Sequence, residues 1–280
     1  MNLDRHQKLT NEELIPIRDM IAAEAGINFD EKKFYFMEKR VLRRMKATSS
    51  KTGKDYFRLL KLGSNKDEFN ELVSALTTNE TYFYRNIPQL ESFAEEALPL
   101  IIEEKRKRSN FSLKIWSAAC SSGEEPYTIA ILLREYLKDF SKWRIQIQAS
   151  DIDLQILKKA ETGMYDRRSV KDVPPVILKK YFDQVAGRYQ VKPEIRKSVS
   201  FTNVNLMDRR VMRSQNGMDF VFCRNVLIYF DDKARRQVVS QIYDSLNRGG
   251  FIFLGHSESV GKISAAFKLV KFKKSLSYRK

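Results

Sequence analysis

Two adjacent carboxylates follow a run of small residues, a composition typical of a ligand-binding loop. Residues 117–127 read SAACSSGEEPY and place Glu124 and Glu125 at the start of a predicted helix. Small residues let a ligand approach the backbone, but the segment has neither G-x-G-x-x-G spacing nor a P-loop lysine. Because like charges repel, two acids here favour a cationic ligand without phosphate groups. Alternatively, the acids only complement the dipole of the helix that follows.

A second acidic pair follows the next apolar run, in the sequence Ser150-Asp151-Ile152-Asp153. A carboxylate at the tip of a second strand can accept hydrogen bonds from the vicinal hydroxyls of a ribose. The alternative is an N-cap for the helix predicted from Leu154. We assign ligand binding to Asp151 and capping to Asp153.

Asn225 and Tyr229 follow another apolar run, Phe220–Cys223. Asn225 falls where a strand should stop, and Tyr229 lies about one turn further along. Both side chains could therefore face a ligand at the same sheet edge. Taken alone, Asn225 could equally close a turn and Tyr229 could belong to the core.

All these candidates need the same support, because ligands of open α/β sheets bind at the carboxyl ends of the strands. From Leu113 onward, short apolar runs alternate with amphipathic helices, which predicts a mostly parallel sheet covered by helices. Strands are predicted at 113–119, 145–150, 199–202, 220–223 and 251–255, with helices at 126–138, 154–162 and 233–246. A terminal antiparallel hairpin is predicted from 267–270 and 276–278, and a small β insert at about 181–200.

A separate helical unit is predicted before the sheet. A capping box at residues 10–13 and a glycine at residue 26 bound its first helix. The second helix, Asp30–Lys46, carries arginines away from its apolar stripe, namely Arg40, Arg43 and Arg44. Further helices are predicted at 56–62, 66–77 and 88–108, with a connector at 79–85.

The composition is that of a folded protein with an excess of positive charge. The 280 residues are 42% hydrophobic and 31% charged, and the net charge of +16 predicts an acidic partner. Lys32–Lys61 is strongly basic, as is Lys262–Lys280. No apolar run is long enough to cross a membrane and no signal segment is recognisable, which predicts a cytoplasmic location. Cys120 and Cys223 are distant in sequence from His6 and His256, so we expect neither a disulfide nor a metal site.

Seven sequence strings occur in an order and spacing that resemble CheR-type chemotaxis receptor methyltransferases. They are TNETYFYR at 78–85, WSAA at 116–119, GEEPY at 123–127, ASDID at 149–153, NL at 205–206, CRNVLIYF at 223–230 and GHSE at 255–258. The resemblance covers nearly the whole chain. It implies a class I S-adenosylmethionine-dependent methyltransferase fold, a Rossmann-like α/β sheet with a C-terminal antiparallel hairpin and a small β insert, preceded by an all-α domain. The corresponding boundaries are 1–77 for the helical domain, 78–90 for a linker that acts as a lid, and 91–280 for the methyltransferase domain.

The resemblance also implies a site for S-adenosylmethionine and its product S-adenosylhomocysteine. Asn79, Thr81 and Arg85 would close over the cofactor, and Glu125, rather than Glu124, would meet its amino-acid end. Asp151 would hold the ribose. Asn205 and Leu206 would flank the adenine, and Asn225 and Val226 would line the methionine side. As candidate catalytic residues we name Arg85, to position the incoming carboxylate or the cofactor, and Tyr229, to donate a hydrogen bond near the reacting centre.

The implied acceptor is the acidic coiled-coil cytoplasmic region of a chemotaxis receptor, on which Arg40, Arg43 and Arg44 would dock a monomeric enzyme. The predicted turn of the β insert, Ala186-Gly187-Arg188, is shorter than in relatives that bind a receptor's C-terminal pentapeptide, which predicts pentapeptide-independent action. A nucleic-acid methyltransferase is an alternative that the charge favours. The Asn/Asp-Pro-Pro-Tyr/Phe motif common in that class is missing at 225–229. A non-catalytic basic binding module on the same fold is the other alternative.

Overall fold

A computed structural model describes residues 8–62, 66–77, 79–261 and 264–280, and within these ranges seven strands form one mixed sheet and three strands a smaller one. His6, Thr78 and Lys262, which the sequence analysis names, lie outside them. The strands are β1 Ser112–Ala118, β2 Arg144–Asp151, β3 Met164–Tyr165, β4 Phe182–Val185, β5 Arg188–Val191, β6 Val199–Asn203, β7 Met218–Cys223, β8 Leu246–Leu254, β9 Lys268–Lys271 and β10 Leu276–Arg279.

The helices of the N-terminal unit are α1 Asn11–Ala25, α2 Phe34–Ala47, α3 Gly53–Lys61 and α4 Lys66–Leu76. Those that follow are α5 Ile87–Ser92, α6 Leu98–Lys107, α7 Glu124–Tyr136, α8 Leu154–Thr162, α9 Pro175–Tyr181, α10 Pro193–Arg196, α11 Arg209–Ser214 and α12 Asp232–Ser245. Among the described residues, no helix combines the length and the apolar character that a bilayer crossing requires.

The large sheet has the strand order β6-β2-β1-β7-β8-β10-β9. The first five strands in this order are mutually parallel, whereas β10 pairs antiparallel with both β8 and β9. The predicted parallel sheet and terminal hairpin are therefore confirmed. The chain order reverses between β1 and β7, so ligands are expected at the carboxyl ends of these central strands.

The predicted helices differ from the observed ones most clearly at the start of the second helix and within the helix predicted at 88–108. The second helix begins at Phe34 rather than Asp30, because the Asp30 carboxylate accepts a hydrogen bond from the Lys32 backbone N–H at 3.0 Å and caps a preceding 3₁₀ turn, Glu31–Lys33. The predicted long helix at 88–108 is interrupted by a π-helical segment, Phe93–Ala97, between α5 and α6. This segment turns the Phe93 ring into the core, where it lies edge-on to three sheet phenylalanines at centroid distances of 5.1 to 5.8 Å.

The β insert consists of β4 and β5, joined by a two-residue turn at Ala186-Gly187, with β3 added on the other side of β5. Both turn residues have positive φ, 47° and 76°, as the tight turns of hairpins often require. The predicted insert at about 181–200 extends too far, because β6 from Val199 onward belongs to the large sheet, and the prediction also missed β3.

The arginines of α2 are not all free to bind a partner. The Arg44 guanidinium donates to both carboxylate oxygens of Glu68 on α4, at 3.0 and 2.6 Å, and to Glu71 at 3.1 Å. Arg40 donates to the Ala75 carbonyl at 2.9 Å and lies 3.2 Å from the ring centroid of Phe36. Only Arg43 of the three predicted docking residues is exposed. Arg40 and Arg44 instead hold α4 against α2.

Candidate active site

One cleft of about 390 Å³ lies at the carboxyl ends of the central strands, between the large sheet, the lid and the N-terminal helical unit. Its wall contains every cofactor-site and catalytic residue that the sequence analysis names, namely Asn79, Thr81, Arg85, Glu125, Asp151, Asn205, Leu206, Asn225, Val226 and Tyr229. Arg40, Arg43 and Arg44 do not line it. Residues up to 150 positions apart in the chain thus meet in one place.

Several non-glycine residues of the cleft wall have left-handed backbone conformations. Positive φ angles of 61°, 58°, 50° and 60° occur at Tyr84, Ala119, Ser121 and Asn225, respectively. Such conformations are unfavourable for residues with a Cβ and persist where surrounding contacts enforce them, often at functional sites. The loops after β1 and β7 therefore have a shape that local propensity alone would not select.

Asp151 ends β2 and is only 5% exposed. Its carboxylate accepts hydrogen bonds from the backbone N–H groups of Ser121, at 2.8 Å, and Asp153, at 3.0 Å. Burial raises the pKa of Asp151 to about 6, although these hydrogen bonds oppose the rise. Asp153 caps α8 by accepting from the N–H groups of residues 155 and 156, as predicted. The two acids of this pair therefore occupy different environments, with Asp151 in the cleft wall.

Glu125 and Glu124 point to different places. Glu125 lines the cleft, where its carboxylate accepts from the Ser117 hydroxyl at 2.7 Å and pairs with the Arg224 guanidinium at 3.1 Å. Glu124 is 2% exposed, accepts from the Ser122 hydroxyl at 2.7 Å and lies outside the cleft wall; its burial raises the pKa of its carboxyl group. Of the two, Glu125 is therefore the one available to a ligand.

Arg224 is a cleft residue that sequence reasoning missed. Its side chain is 5% exposed, and besides pairing with Glu125 it donates to the backbone carbonyl of Arg85 at 2.6 Å. An arginine that directly follows the fully buried strand β7 was a signal in the sequence, because such a charge must find a partner. Arg224 joins the floor of the cleft to the lid.

Residues 79–86, within the linker predicted as a lid, are held from both sides. The Asn79 side chain donates to the Asp153 carboxylate at 3.3 Å and accepts from the Ser121 hydroxyl at 3.3 Å. The Phe83 N–H donates to the Ser169 carbonyl at 2.9 Å. The Arg85 guanidinium donates to the Glu80 carbonyl at 2.8 Å, and among the described residues no carboxylate lies within ion-pair distance of it.

The loop after β7 carries Asn225, Val226 and Tyr229, and a carboxylate from another part of the chain holds it. Glu258, in the turn after β8, accepts from the N–H groups of Asn225 and Val226, both at 2.8 Å. Glu258 was part of a quoted sequence string but was not predicted as a site residue.

The residues of the cleft fit S-adenosylmethionine. Glu125 next to Arg224 offers one charge of each sign, which suits the ammonium and carboxylate groups of an α-amino acid. Asp151 offers carboxylate lone pairs, which suit ribose hydroxyls. The segment Ser117–Tyr127 has the small residues of a ligand loop without the basic groups of a phosphate site, in keeping with a nucleoside cofactor that has no phosphate.

Two family models match the chain in succession. Residues 12–77 match the all-alpha domain of the CheR methyltransferases, and residues 79–276 match their SAM binding domain. S-adenosylmethionine is thus the cofactor, and the chain is a methyltransferase with an N-terminal all-α domain.

Curated relatives agree with these matches. Chemotaxis protein methyltransferase 2 of Vibrio cholerae is 44% identical over 273 residues, which cover 97% of this chain and 94% of that protein. The chemotaxis protein methyltransferase of Borreliella burgdorferi is 34% identical, covering 90% and 89%, and that of Salmonella typhimurium is 33% identical, covering 90% and 85%. With the geometry of the cleft, these similarities lead to one conclusion: the chain belongs to the CheR family of SAM-dependent methyltransferases.

Proposed function

We propose that this methyltransferase esterifies glutamate side chains of chemotaxis receptors and releases S-adenosylhomocysteine. The observation that carries the proposal is the shared cleft, in which the predicted cofactor residues and the lid stand together with exposed residues of the helical domain, Lys33 and Tyr35. Because Lys33 and Tyr35 are exposed, a side chain of another protein can reach the cleft on this side. The acceptor we propose is the acidic coiled-coil region of a receptor in the cytoplasm, and the enzyme acts on it as a monomer.

Methyl transfer to a carboxylate does not require the protein to add or remove a proton. Bound S-adenosylmethionine supplies the methyl group on a sulfonium. A glutamate side chain, with a reference pKa of about 4.3, is already ionised at neutral pH, so no general base is required. The residues must instead exclude water and hold the carboxylate in line with the methyl group. Arg85 and Tyr229 both line the cleft and are our candidates for this orientation.

We infer that Arg85 can receive a carboxylate, because the one hydrogen bond of its guanidinium to the described residues is to the Glu80 backbone carbonyl, and it lies 5.7 Å from the Tyr82 ring centroid. We expect Arg85→Ala to lower kcat/KM about a hundredfold by removing a charge-assisted contact. Steady-state methylation of a receptor fragment measures this. The matched control is Arg168→Ala, an 85% exposed arginine beside the lid, which should retain activity. Wild-type kcat/KM in Arg85→Ala would remove Arg85 from the mechanism.

The docking surface that we propose contains only one of the three arginines predicted from the sequence, Arg43. Tyr35, Lys39 and Arg43 are all exposed and are spaced by four residues, so they form one stripe along α2. The stripe begins at the cleft, since Tyr35 is part of its wall and is 74% exposed. An acidic helix that lies along Lys39 and Arg43 would bring its glutamates towards the cleft.

Reversing these two charges tests the docking surface. Lys39→Glu/Arg43→Glu should lower kon for a receptor fragment about tenfold at low salt, with kcat unchanged, because long-range attraction is lost. The control, Lys268→Glu/Lys271→Glu, changes two exposed lysines of β9 and the net charge by the same amount. Equal kinetics in the two variants would show that α2 is not the docking surface.

We propose that tethering to a receptor pentapeptide is not needed. The two-residue turn between β4 and β5 leaves little loop to cradle a peptide, which supports this proposal. Methylation of a receptor fragment that lacks its C-terminal pentapeptide should proceed at the rate of the intact fragment. Micromolar binding of the isolated pentapeptide by the enzyme would contradict the proposal.

The acceptor itself is identified by labelling. Incubation with S-adenosylmethionine carrying a radiolabelled methyl group and a panel of receptor cytoplasmic fragments should give label on protein that is released by base, as a carboxyl ester requires. Label in nucleic acid would select the nucleic-acid methyltransferase instead. Cofactor binding without label in any acceptor would select the non-catalytic module.

A further inference from the structure

The turn after β8 carries a carboxylate with an unusual number of backbone partners. Glu258 Oε2 accepts from the N–H groups of Asn225 at 2.8 Å and Gly255 at 2.6 Å. Its Oε1 accepts from the N–H groups of Val226 at 2.8 Å and Ile228 at 3.3 Å. Three of these four donors belong to the loop after β7, so one side chain fixes most of that loop.

The arrangement requires a carboxylate. Each oxygen receives two N–H donors, which an ionised carboxylate can accept on its lone pairs. A glutamine of the same length would turn its NH₂ group towards one pair of donors, where it can accept nothing. The loop would also lose support for Asn225, whose φ of 60° is unfavourable for a residue with a Cβ.

Gly255 shows how closely the two segments approach. A Cβ added to Gly255 would lie 2.6 Å from Glu258 Oε2 and 2.8 Å from the backbone nitrogen of Asn225. The φ angle of Gly255 is not in the left-handed region, so close approach rather than backbone conformation requires glycine here. The carboxylate and the loop are therefore packed without a gap.

Glu258 does not itself line the cleft, whereas Asn225, Val226 and Tyr229 do. We propose that Glu258 is a positioning residue for S-adenosylmethionine: its carboxylate holds the loop after β7 in the conformation that places Asn225 and Val226 against the cofactor. The inference rests on the proposed role of these two residues, but not on the identity of the methyl acceptor.

Binding of S-adenosylhomocysteine, measured by calorimetry without any receptor, tests the inference separately from the proposed acceptor. Glu258→Gln should raise the Kd about tenfold or more, the effect expected when several backbone N–H groups lose a charged acceptor. Gly255→Ala, which pushes the same contact apart without removing the charge, should act in the same direction. Steady-state kinetics should show a raised KM for S-adenosylmethionine and an unchanged KM for the receptor fragment, a split that general loss of stability would not produce.

The control is Thr52→Ala, which removes the side-chain acceptor of the Asp55 N–H at the start of α3 and lowers stability far from the cleft. Its Kd should equal that of the wild type. A wild-type Kd and KM in Glu258→Gln, or in Gly255→Ala if the first variant does not fold, would overturn the inference. If the wild-type enzyme itself fails to methylate receptors but binds S-adenosylhomocysteine, the proposed acceptor fails and the role of Glu258 is still decided by the Kd values.

Discussion

At the scale of single residues, this protein gives chemically identical groups different tasks through their surroundings. Asp151 and Asp153 are both nearly inaccessible, at 5% and 2% exposure. The Asp153 carboxylate accepts hydrogen bonds from the N-terminus of α8 and from the side chain of the lid residue Asn79. Asp151 accepts two backbone N–H groups but also reaches the cleft. A carboxylate has about four acceptor sites, so Asp151 retains the capacity for two ribose hydroxyls.

The raised pKa of Asp151 predicts how cofactor affinity depends on pH. In the role predicted for Asp151, ribose hydroxyls donate to its ionised carboxylate, so the affinity should fall as the pH drops through the pKa of about 6. Well below that pH, the Kd for S-adenosylhomocysteine should rise about tenfold for each pH unit. Calorimetric titrations between about pH 5 and pH 8 measure this. Asp151→Asn should bind weakly with a much flatter profile, and a flat profile in the wild type would show that Asp151 is not the titrating group.

The raised pKa of Asp151 has the opposite effect on the free energy of unfolding, which it increases at low pH. Because the folded-state pKa of Asp151 is above its usual value of 3.8, the folded protein favours the protonated form. The stabilising contribution of this residue is therefore complete below about pH 4 and is lost as the pH rises through about 6. Acid should thus weaken cofactor binding, although protonation of this carboxyl group itself favours the folded state.

At the scale of elements, the end of α1 builds one wall of the cleft. The Asn28 N–H donates to the Tyr229 carbonyl at 2.8 Å, and Ile27 forms an isolated β-bridge with Phe230. Asn205, a predicted adenine neighbour, donates its side-chain amide to the Glu24 carbonyl at 2.6 Å. The helical domain is therefore bonded to the loops that bear Asn205 and Tyr229, and its position should affect cofactor binding.

Two glycines with similar backbone conformations allow this contact to be tested. Gly26 and Gly187 have φ of +73° and +76°, but a Cβ at Gly26 would lie 2.8 Å from the Phe230 ring, whereas one at Gly187 would meet nothing within 4 Å. Alanine at Gly187 should cost about 1 kcal/mol for its backbone conformation. Alanine at Gly26 should cost about 2 kcal/mol more, because Phe230 must move.

Urea unfolding measures both free energies, and calorimetry should show a raised Kd for S-adenosylhomocysteine in Gly26→Ala alone. Similar losses of stability in the two variants, or an unchanged Kd in Gly26→Ala, would show that the contact with Phe230 does not support the site.

At the scale of the whole molecule, the basic residues behind the net charge of +16 fall into two groups, those paired inside the protein and those exposed on its surface. Some basic side chains form largely buried ion pairs within the protein. Examples are the Arg44–Glu68 and Arg224–Glu125 pairs, whose arginine side chains are 19% and 5% exposed. The exposed remainder includes the stripe on α2, which starts at the cleft. Exposed charges act at long range and are screened by salt, whereas buried pairs are screened much less.

This difference predicts that salt will separate docking from cofactor binding. Between about 50 and 300 mM salt, kcat/KM for an acidic receptor fragment should fall about tenfold, because the Debye length shortens and steering weakens. The Kd for S-adenosylhomocysteine should change less than about twofold, since the charged groups predicted to hold it, Asp151, Glu125 and Arg224, are at most 14% exposed. Steady-state methylation kinetics and calorimetry at several salt concentrations provide the two values. A parallel loss of both would show that the surface charge does not act through the acceptor.

The amino-acid sequence by itself predicted most elements of the methyltransferase domain and, through the family resemblance, a set of residues for its site. Strand and helix patterns are local, since periodicity and flanking turns depend on neighbouring residues, and they predicted the parallel strands and the terminal hairpin. Site residues such as Asp151 and Asn225 follow strands, and parallel strands bring their carboxyl ends together whatever the loops between them. For this reason Glu125, Asp151, Asn205 and Asn225, which all follow strands, line one cleft, whereas Asn79, Thr81 and Arg85 of the linker were predicted only from the family resemblance.

Only the tertiary structure decided which polar groups are already bound to other parts of the protein. Arg40, Arg43 and Arg44 look alike on a helical wheel, but α4 packs on one side of α2 and takes up two of them. Arg224 and Glu258 owe their roles to partners 99 and 33 residues away. A hydrogen bond between distant segments depends on how the whole chain packs, and no pattern of neighbouring residues records it.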